Sequence, residues 1–203
     1  MYVRRASLAL AATLLALALA PAPAAAQSTD ASRWAVLVGM EDFSGNAGVQ
    51  LRGDLEFAQR PISSVVGFSI VGSLGYSHWS DSGYDWYYGN HWDWSVNLLK
   101  VVGSARFSFG RSQVVRPYAD AGVGVYYAGL SGTHAVWDPY YGYYVGNTYH
   151  DSSVSLLLRL AGGVQFNLSP RFALGVELGV HPYFGDIPND TSTSLMASAS
   201  FRM

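Results

Sequence analysis

Residues 154–184 read VSLLLRLAGGVQFNLSPRFALGVELGVHPYF, and large apolar side chains fill every second position in both halves of this stretch. In the first half, 154–166, Arg159 lies on the alternate face, and in the second half, 172–180, Glu177 does. A period of two is typical of a β-strand. The stretch is therefore predicted to be a β-hairpin with one apolar face. The composition of the opposite face decides whether lipid or a protein core covers the apolar face.

The start of the chain has the composition of an export signal. Arg4 and Arg5 precede an apolar run, residues 6–20, and small residues follow as far as Ala26. This order is typical of a secretory signal peptide, so we predict that residues 1–26 are cleaved and that residues 27–203 form one domain. The chain has no cysteine, so disulfides cannot hold the exported protein together. No later apolar run approaches the ~20 residues of a membrane-spanning helix, so a membrane-spanning form would use strands.

Six further segments alternate in the same way. They are residues 34–41, 49–57, 66–77, 94–109, 117–127 and 193–201. We predict turns or loops at 42–48, 79–92, 129–152 and 185–190, and shorter turns between the other pairs of strands. Eight strands in sequence, with short turns alternating with longer loops, predict an all-β, eight-stranded antiparallel up-and-down transmembrane β-barrel.

The two ends of this barrel differ in charge. The basic end carries Arg33, Arg60, Arg111, Arg116, Arg171 and Arg202. The acidic end carries Asp42, Asp81, Asp85, Asp93, Asp138, Asp151, Asp186 and Asp190. All the long loops lie at the acidic end, as the extracellular loops of outer-membrane barrels do.

Charged residues in the middle of the strands fall on one face only. They are Arg52, Asp54, Glu56, Lys100, Arg106, Asp120, Arg159 and Glu177, four cations and four anions. A soluble sandwich would turn this face to water and pack the apolar face, whereas a membrane barrel turns the apolar face to lipid. The chain contains a single lysine, which favours the membrane barrel over a water-exposed charged face.

The hairpins also suggest which of these charges meet. Folding them about their turns puts Arg106 opposite Asp120 and Arg159 opposite Glu177, so we predict two cross-strand ion pairs. The interior of an eight-stranded barrel is just wide enough for side chains to fill it. Paired charges would then form a polar plug and leave no open pore. The alternative is that these are solvated charges on the surface of a sandwich.

Three segments resemble a known family. Residues 117–125 (PYADAGVGV), 160–166 (LAGGVQF) and 168–174 (LSPRFAL) are similar to the small eight-stranded outer-membrane barrels that include the OmpA transmembrane domain and OmpX. The resemblance implies a structural protein, an adhesin or, occasionally, a lipid-modifying enzyme in the outer membrane. Chains of this family commonly end in an aromatic residue that the assembly machinery reads. Here Phe201 is followed by two further residues, and Met203 continues the outward alternation.

The two longest predicted loops are rich in aromatic residues, and these residues form the candidate contact surface. Its members are Trp86, Tyr87, Tyr88, Trp92, Trp137, Tyr140, Tyr141, Tyr143 and Tyr144. Rigid amphipathic rings mixed with Gly, Ser and Asn suit a surface that binds a partner. Two alternatives stay open, because the rings could extend the aromatic girdle or the strands could continue above the membrane as hairpins.

Two His-x-Ser triplets, residues 78–80 and 150–152, raise the question of catalysis. The lipid A deacylases of this architecture use such a pair with a glutamate, and a serine nucleophile needs a histidine base and an acid that orients it. No glutamate lies near either triplet on the outward face, and Asp93 is the only nearby acid for the first. We therefore predict no catalytic residues.

Metal ligands are present in the same loops. His91 with Asp93, or His134 with His150 and Asp151, could gather a metal ion. Mobile loops often hold such residues without binding anything, so no specific metal or cofactor site is predicted. Weak binding of divalent cations along the acidic end, bridging to the phosphates of lipopolysaccharide, is the better expectation.

Three functional hypotheses follow. The first is a non-enzymatic outer-membrane barrel that acts in envelope structure or surface adhesion through its long loops. The second is a narrow channel or carrier for small apolar molecules, and the third is a lipid A-modifying hydrolase. The expected partners are outer-membrane lipid with lipopolysaccharide, the assembly machinery through the C-terminal strand, and an unidentified surface ligand. Nucleic acid is not expected, because the basic residues are few and lie in the turns.

Overall fold

The chain folds into one closed barrel. The computed structural model describes residues 32–43, 45–85, 90–110, 114–138, 140, 143–185 and 190–203. The strands are β1 (Arg33–Phe43), β2 (Asn46–Pro61), β3 (Val66–Asp85), β4 (Asn90–Phe109), β5 (Val115–Asp138), β6 (Tyr143–Asn167), β7 (Phe172–Phe184) and β8 (Thr191–Arg202). Each strand pairs antiparallel with the next, and β8 returns to pair with β1. The predicted eight-stranded up-and-down barrel is confirmed.

The apolar side chains of the barrel point outward and the charged ones point inward. Leu158 is 41% exposed and Val176 is 51% exposed, whereas Arg159 and Glu177 are each 1% exposed. In a protein surrounded by water this distribution would be inverted, because burial of unpaired charge and exposure of a continuous apolar surface are both unfavourable. It matches a barrel whose outer surface lies in hydrocarbon.

Aromatic side chains collect on the outward face near the basic end. The ring of Trp34 stacks on that of Phe201 with centroids 4.6 Å apart, and Phe172 packs against Phe201 at 5.0 Å. A further pair, Phe68 and Phe107, lies on β3 and β4 with centroids 5.4 Å apart. Aromatic girdles of this kind mark the interface between hydrocarbon and headgroups.

Three of the predicted loops are wrong in extent because strands occupy most of them. The connection predicted at 42–48 shortens to residues 44–45, since β1 ends at Phe43 and β2 begins at Asn46. The loop predicted at 79–92 is largely β3 and β4, and the one at 129–152 is largely β5 and β6. In both cases the alternation continues in Ser, Thr, Tyr, Trp and Gly instead of aliphatic residues, and Tyr, Trp and Thr favour strands.

The strands therefore differ strongly in length. β1, β7 and β8 have 11, 13 and 12 residues, whereas β3, β4, β5 and β6 have 20, 20, 24 and 25. A strand needs about 9–11 residues to cross the hydrocarbon core. β3–β6 consequently continue beyond the membrane at the acidic end as a four-stranded sheet. We call it the extracellular sheet, because the longer loops of outer-membrane barrels face outside the cell. Among the described residues, no helix is long and apolar enough to cross a membrane, and the predicted signal peptide, residues 1–26, lies outside them.

Candidate functional site: a plugged lumen and an extracellular sheet

The middle of the lumen holds a network of three arginines and three carboxylates. Arg106 pairs with its cross-strand neighbour Asp120, with Nη2 at 3.0 Å from Oδ2. The same Nη2 lies 3.2 Å from Asp54 Oδ2, which belongs to a strand two positions away around the barrel. The Arg106 guanidinium also lies over the ring of Tyr118, 4.5 Å from its centroid. A cation between two carboxylates and an aromatic face is well compensated for its removal from water.

Glu177 is the second centre of this network. Its Oε1 lies 3.2 Å from Arg159 Nη2 and 2.8 Å from Arg52 Nη1. The Tyr118 hydroxyl donates to Oε2 at 2.8 Å. The predicted register is wrong here, because Gly163 and not Arg159 is opposite Glu177. The two charges meet because the long arginine side chain reaches along the lumen to a carboxylate four residues further down the strand pair.

Asp54 completes the network. Arg52 Nε lies 2.8 Å from Asp54 Oδ1, and the Ser73 hydroxyl donates to the same oxygen at 2.8 Å. Arg159 Nη1 in turn donates to Ser73 Oγ at 3.0 Å. The six charges of the central network, Arg52, Asp54, Arg106, Asp120, Arg159 and Glu177, therefore sum to zero. The predicted luminal residue Glu56 lies at its edge, 3.7 Å from Arg106 Nη1.

A second network lies nearer the acidic end, around a residue that the sequence prediction missed. Lys100 Nζ lies 2.6 Å from Glu41 Oε2, and the Tyr183 hydroxyl donates to Glu41 Oε1 at 2.6 Å. The hydroxyls of Ser77 and Ser192 also donate to this carboxylate, at 2.6 and 2.5 Å. The signal was available in the sequence, because Glu41 continues the inward alternation of β1. The aliphatic pattern fades beside it, so the turn was predicted to begin one residue later.

An apolar layer fills the lumen beside the second network. Its buried members are Trp79, Leu98, Val102, Tyr126, Ala128, Leu157 and Tyr183. The ring of Tyr126 packs edge-on against that of Tyr183, with centroids 5.1 Å apart. Trp79 is tied to the wall by its Nε1, which donates to the carbonyl of Glu41 at 2.9 Å. Each of these side chains is at most 6% exposed, so in the described structure an ionic layer and an apolar layer together fill the lumen.

The extracellular sheet has two free edges in the described part of the chain. Pairing between β2 and β3 reaches only as far as His78, so in the described structure residues 80–83 of β3 have a strand partner on β4 alone. Pairing between β6 and β7 reaches only as far as Leu156, and the Ser155 hydroxyl still donates to the carbonyl of Phe184 on β7. Within the described ranges, residues 143–152 of β6 have a strand partner on β5 alone. The longer free edge contains neither Lys, Arg nor Pro, the residues that commonly protect an edge strand.

The candidate contact surface is only partly described. Tyr140 lies at the tip of the β5–β6 hairpin and is 87% exposed. Trp92 lies on β4 with its ring against Gly83, its cross-strand partner on β3. The backbone of Trp137, Tyr143 and Tyr144 lies in β5 and β6, and their side chains are outside the described residues. Trp86, Tyr87, Tyr88 and Tyr141 also lie outside them.

The first His-x-Ser triplet does not assemble a catalytic triad among the described residues. His78 Nδ1 hydrogen-bonds Asn97 Oδ1 at 2.8 Å, and the Tyr76 hydroxyl donates to the same oxygen at 2.6 Å. No hydrogen bond joins His78 to Ser80 within this part of the chain. Asp93, the acid considered for this triplet, is the partner of Ser82 and not of His78.

The second triplet and the metal candidates are also separated. His150 is opposite Ser131, and Ser152 is opposite Gly129, so neither faces an acid across β5 and β6. Within the described ranges, no three His, Asp or Glu side chains come together in a way that could hold a metal ion.

Comparisons with known proteins agree with this architecture. Residues 12–201 match the family described as outer membrane protein beta-barrel domain. The structure is similar to that of Neisserial surface protein A, with a TM-score of 0.52 and 15% identity over 87% of this chain and 98% of that one. It is also similar to the outer membrane enzyme PagL, with a TM-score of 0.51 and 18% identity over 83% of this chain and 98% of that one. No curated protein matches the sequence. At these identities the two structures show a shared fold.

Proposed function

This chain belongs to the family of outer membrane protein β-barrel domains, and we propose from that premise that it is a closed, non-enzymatic barrel whose extracellular sheet binds a partner outside the cell. The free edge of β6, residues 143–152, carries the proposal. An unprotected edge offers a row of backbone donors and acceptors to an extended segment of another protein. Tyr149 on the edge strand and Tyr140 at the hairpin tip are exposed, and their rings supply apolar contact area for the same partner.

The closed lumen supports this proposal over a channel or carrier. Ten charged side chains are buried in the described barrel, and they balance as five cations, Arg33, Arg52, Lys100, Arg106 and Arg159, against five anions, Glu41, Asp54, Glu56, Asp120 and Glu177. A lumen that is open or carries net charge would favour the passage of ions, whereas a neutral, packed lumen favours a barrel that acts as a rigid support for the extracellular sheet. The barrel then serves to hold the sheet at a fixed height above the membrane.

Adhesion of cells that display the protein tests the proposal. In one variant, residues 133–148 are replaced by Asn-Gly, so that Gly132 and Tyr149, which face each other across β5 and β6, flank a two-residue turn. This removes the outer half of the free edge and leaves the barrel unchanged. We expect retention on a surface coated with serum proteins to fall to the level of cells without the protein.

Point substitutions test whether adhesion depends on the free edge itself or on the overall charge of the sheet. A lysine at His150 protects the free edge, and a lysine at Ser131, its cross-strand partner, places the same charge on the same face of the neighbouring inner strand. We expect His150→Lys to lose adhesion and Ser131→Lys to retain it. Equal loss in both, or no loss in either, would contradict binding through the edge. Heat-modifiable migration on a gel, compared for unboiled and boiled samples, checks that each variant is folded.

The hydrolase alternative has its own test. Expression of the protein should leave the mass of lipid A unchanged, because Ser80 lacks a hydrogen bond to His78 in the described structure. A loss of acyl chain mass that disappears in Ser80→Ala or Ser152→Ala would establish the hydrolase and overturn the non-enzymatic assignment.

Two further expectations concern export and assembly. We propose that the mature protein begins at Gln27, which N-terminal sequencing of the membrane fraction would test.

We also propose that β8 is the strand that the assembly machinery reads, with Met203 in place of the usual terminal aromatic residue. Met203→Phe should then raise the folded fraction in the membrane, and an unchanged fraction would show that Phe201 already provides the signal.

A further inference from the structure

We propose that the mouth of the barrel at the basic end is a binding site for a phosphate group. The mouth contains a cavity of about 700 Å³ that is lined by residues of β1, β4, β5, β8 and the turns between strands. Three arginines line it, Arg33, Arg116 and Arg202, together with serines of the wall and turns that include Ser108 and Ser169. In barrels of this kind the end with short turns faces the periplasm.

These arginines differ from the cations deeper in the lumen. Arg52, Lys100, Arg106 and Arg159 each lie within 4.0 Å of at least one carboxylate oxygen. Among the described residues, none of the three mouth arginines forms such an ion pair. Arg33 instead donates from Nη1 to the amide oxygen of Gln165 at 2.7 Å. The cations deeper in the lumen are therefore paired with carboxylates, whereas the three arginines of the mouth are available to bind an anion.

The strand register makes this excess of positive charge unfavourable in the empty site. Arg33 and Arg202 are direct cross-strand partners on β1 and β8, and like charges in that position repel each other. Glu56 is the other cross-strand partner of Arg33, but it also serves Arg106 at 3.7 Å, and no Asp or Glu side chain is among the described residues that line the cavity. Three arginines against one shared carboxylate leave the mouth with net positive charge.

A phosphate group fits this arrangement better than a monovalent anion. Guanidinium groups bind phosphate through paired N–H donors, and serine hydroxyls add donors around it. The cavity is open to the aqueous side, so the phosphate could be carried by a free anion or by the headgroup of an anionic phospholipid of the inner leaflet. Both sources present the same chemistry to the three arginines.

Titration of the folded full chain with inorganic phosphate tests the site. The protein is placed in nanodiscs of phosphatidylcholine, and binding is measured by calorimetry at low ionic strength, since salt screens exposed charges. We expect Arg116→Gln and Arg202→Gln each to weaken phosphate binding roughly tenfold, as expected for the loss of one charge-assisted contact. Heat-modifiable migration checks that the variants remain folded.

Arg171→Gln is the matched control. The backbone N–H of Arg202 donates to the carbonyl of Arg171 at 2.9 Å, so the two residues are neighbours. The side chain of Arg171 is exposed and does not line the cavity. We expect this variant to bind phosphate within a factor of two of the native protein. A tenfold loss in Arg171→Gln as well would show general attraction to the basic end and would overturn the proposal.

A second arm identifies the source of the phosphate. Nanodiscs that contain phosphatidylglycerol are analysed by native mass spectrometry for lipid retained on the barrel. Retention that is lost in Arg116→Gln and Arg202→Gln, but kept in Arg171→Gln, assigns the site to a lipid headgroup. Calorimetric binding of phosphate with the same dependence, but without such lipid retention, assigns it to a free anion. Absence of arginine-dependent binding in both arms overturns the proposal and leaves the function of the extracellular sheet untouched.

Discussion

Replacement of Glu177 by glutamine tests whether the central network holds the lumen together. Glutamine keeps the size of the side chain and an acceptor oxygen, so it removes the charge without opening a cavity. The native carboxylate contacts Arg52 at 2.8 Å, Arg159 at 3.2 Å and the Tyr118 hydroxyl at 2.8 Å. After the substitution, three arginines of the network face two carboxylates.

The magnitude follows from what each arginine retains. Arg52 keeps Asp54 at 2.8 Å, but the nearest remaining carboxylates of Arg159 are Asp120 at 3.6 Å and Asp54 at 3.9 Å. Arg159 therefore becomes a buried cation without a close partner. Removal of one member of a buried ion pair costs about 3–5 kcal/mol, so we expect Glu177→Gln to lower the free energy of unfolding by that amount.

The assay is equilibrium unfolding in urea of the barrel folded into lipid vesicles, followed by tryptophan fluorescence. Asp93→Asn, which removes an exposed carboxylate, is the control and should change the free energy by less than about 0.5 kcal/mol. The double variant Glu177→Gln with Arg159→Met should recover part of the loss, with a coupling of about 1–3 kcal/mol. If Glu177→Gln behaves like Asp93→Asn, or if the double variant shows simple additivity, the central network does not stabilise the barrel as described.

Lys100→Met leaves Glu41 as a buried anion without its cation and should lower the unfolding free energy by about 3–5 kcal/mol. Adding Glu41→Gln should return much of that loss, and a double variant no more stable than Lys100→Met would argue against the pairing. Gly39→Val should destabilise the barrel by about 1–3 kcal/mol, because its Cβ would overlap the backbone of β8. Gly53→Val, which has open space around its Cβ, should change the stability by less than about 0.5 kcal/mol in the same urea titration. The native protein should carry no steady current in planar bilayers, because two packed layers close the lumen, and a steady current would refute the plug.

The sequence predicted the barrel because aliphatic alternation marks a strand that meets lipid on one face. That signal located the membrane-spanning parts of all eight strands. It failed above the membrane, where β3 continues to Asp85 and β6 begins at Tyr143. Outside the hydrocarbon neither face of a strand meets lipid, so apolar residues no longer need to fill every second position. Serine, tyrosine and tryptophan then carry a weaker pattern that is easily read as a loop.

The sequence predicted which face of each strand carries the luminal charges and one cross-strand pair, Arg106 with Asp120, but it did not predict the other partners in the network. The alternation predicts that a charged side chain points into the barrel, but it does not predict how far along the barrel axis the charged group lies. Arg52 of β2 reaches Glu177 of β7, and Arg106 of β4 reaches Asp54 of β2. Such contacts cross a narrow lumen between strands that are not neighbours, so cross-strand reasoning along one hairpin cannot find them.

The extracellular sheet is continuous with the barrel, yet no ion pair of the central network lies within it in the described structure. Substitutions and insertions at the tips of the β3–β4 and β5–β6 hairpins can therefore accumulate without disturbing the membrane-embedded half. The β1–β2 hairpin has no such freedom, because its short connection lies only a few residues from Glu41. Under selection by antibodies or bacteriophages, we expect the two long tips to diversify rapidly while the short rim stays nearly constant.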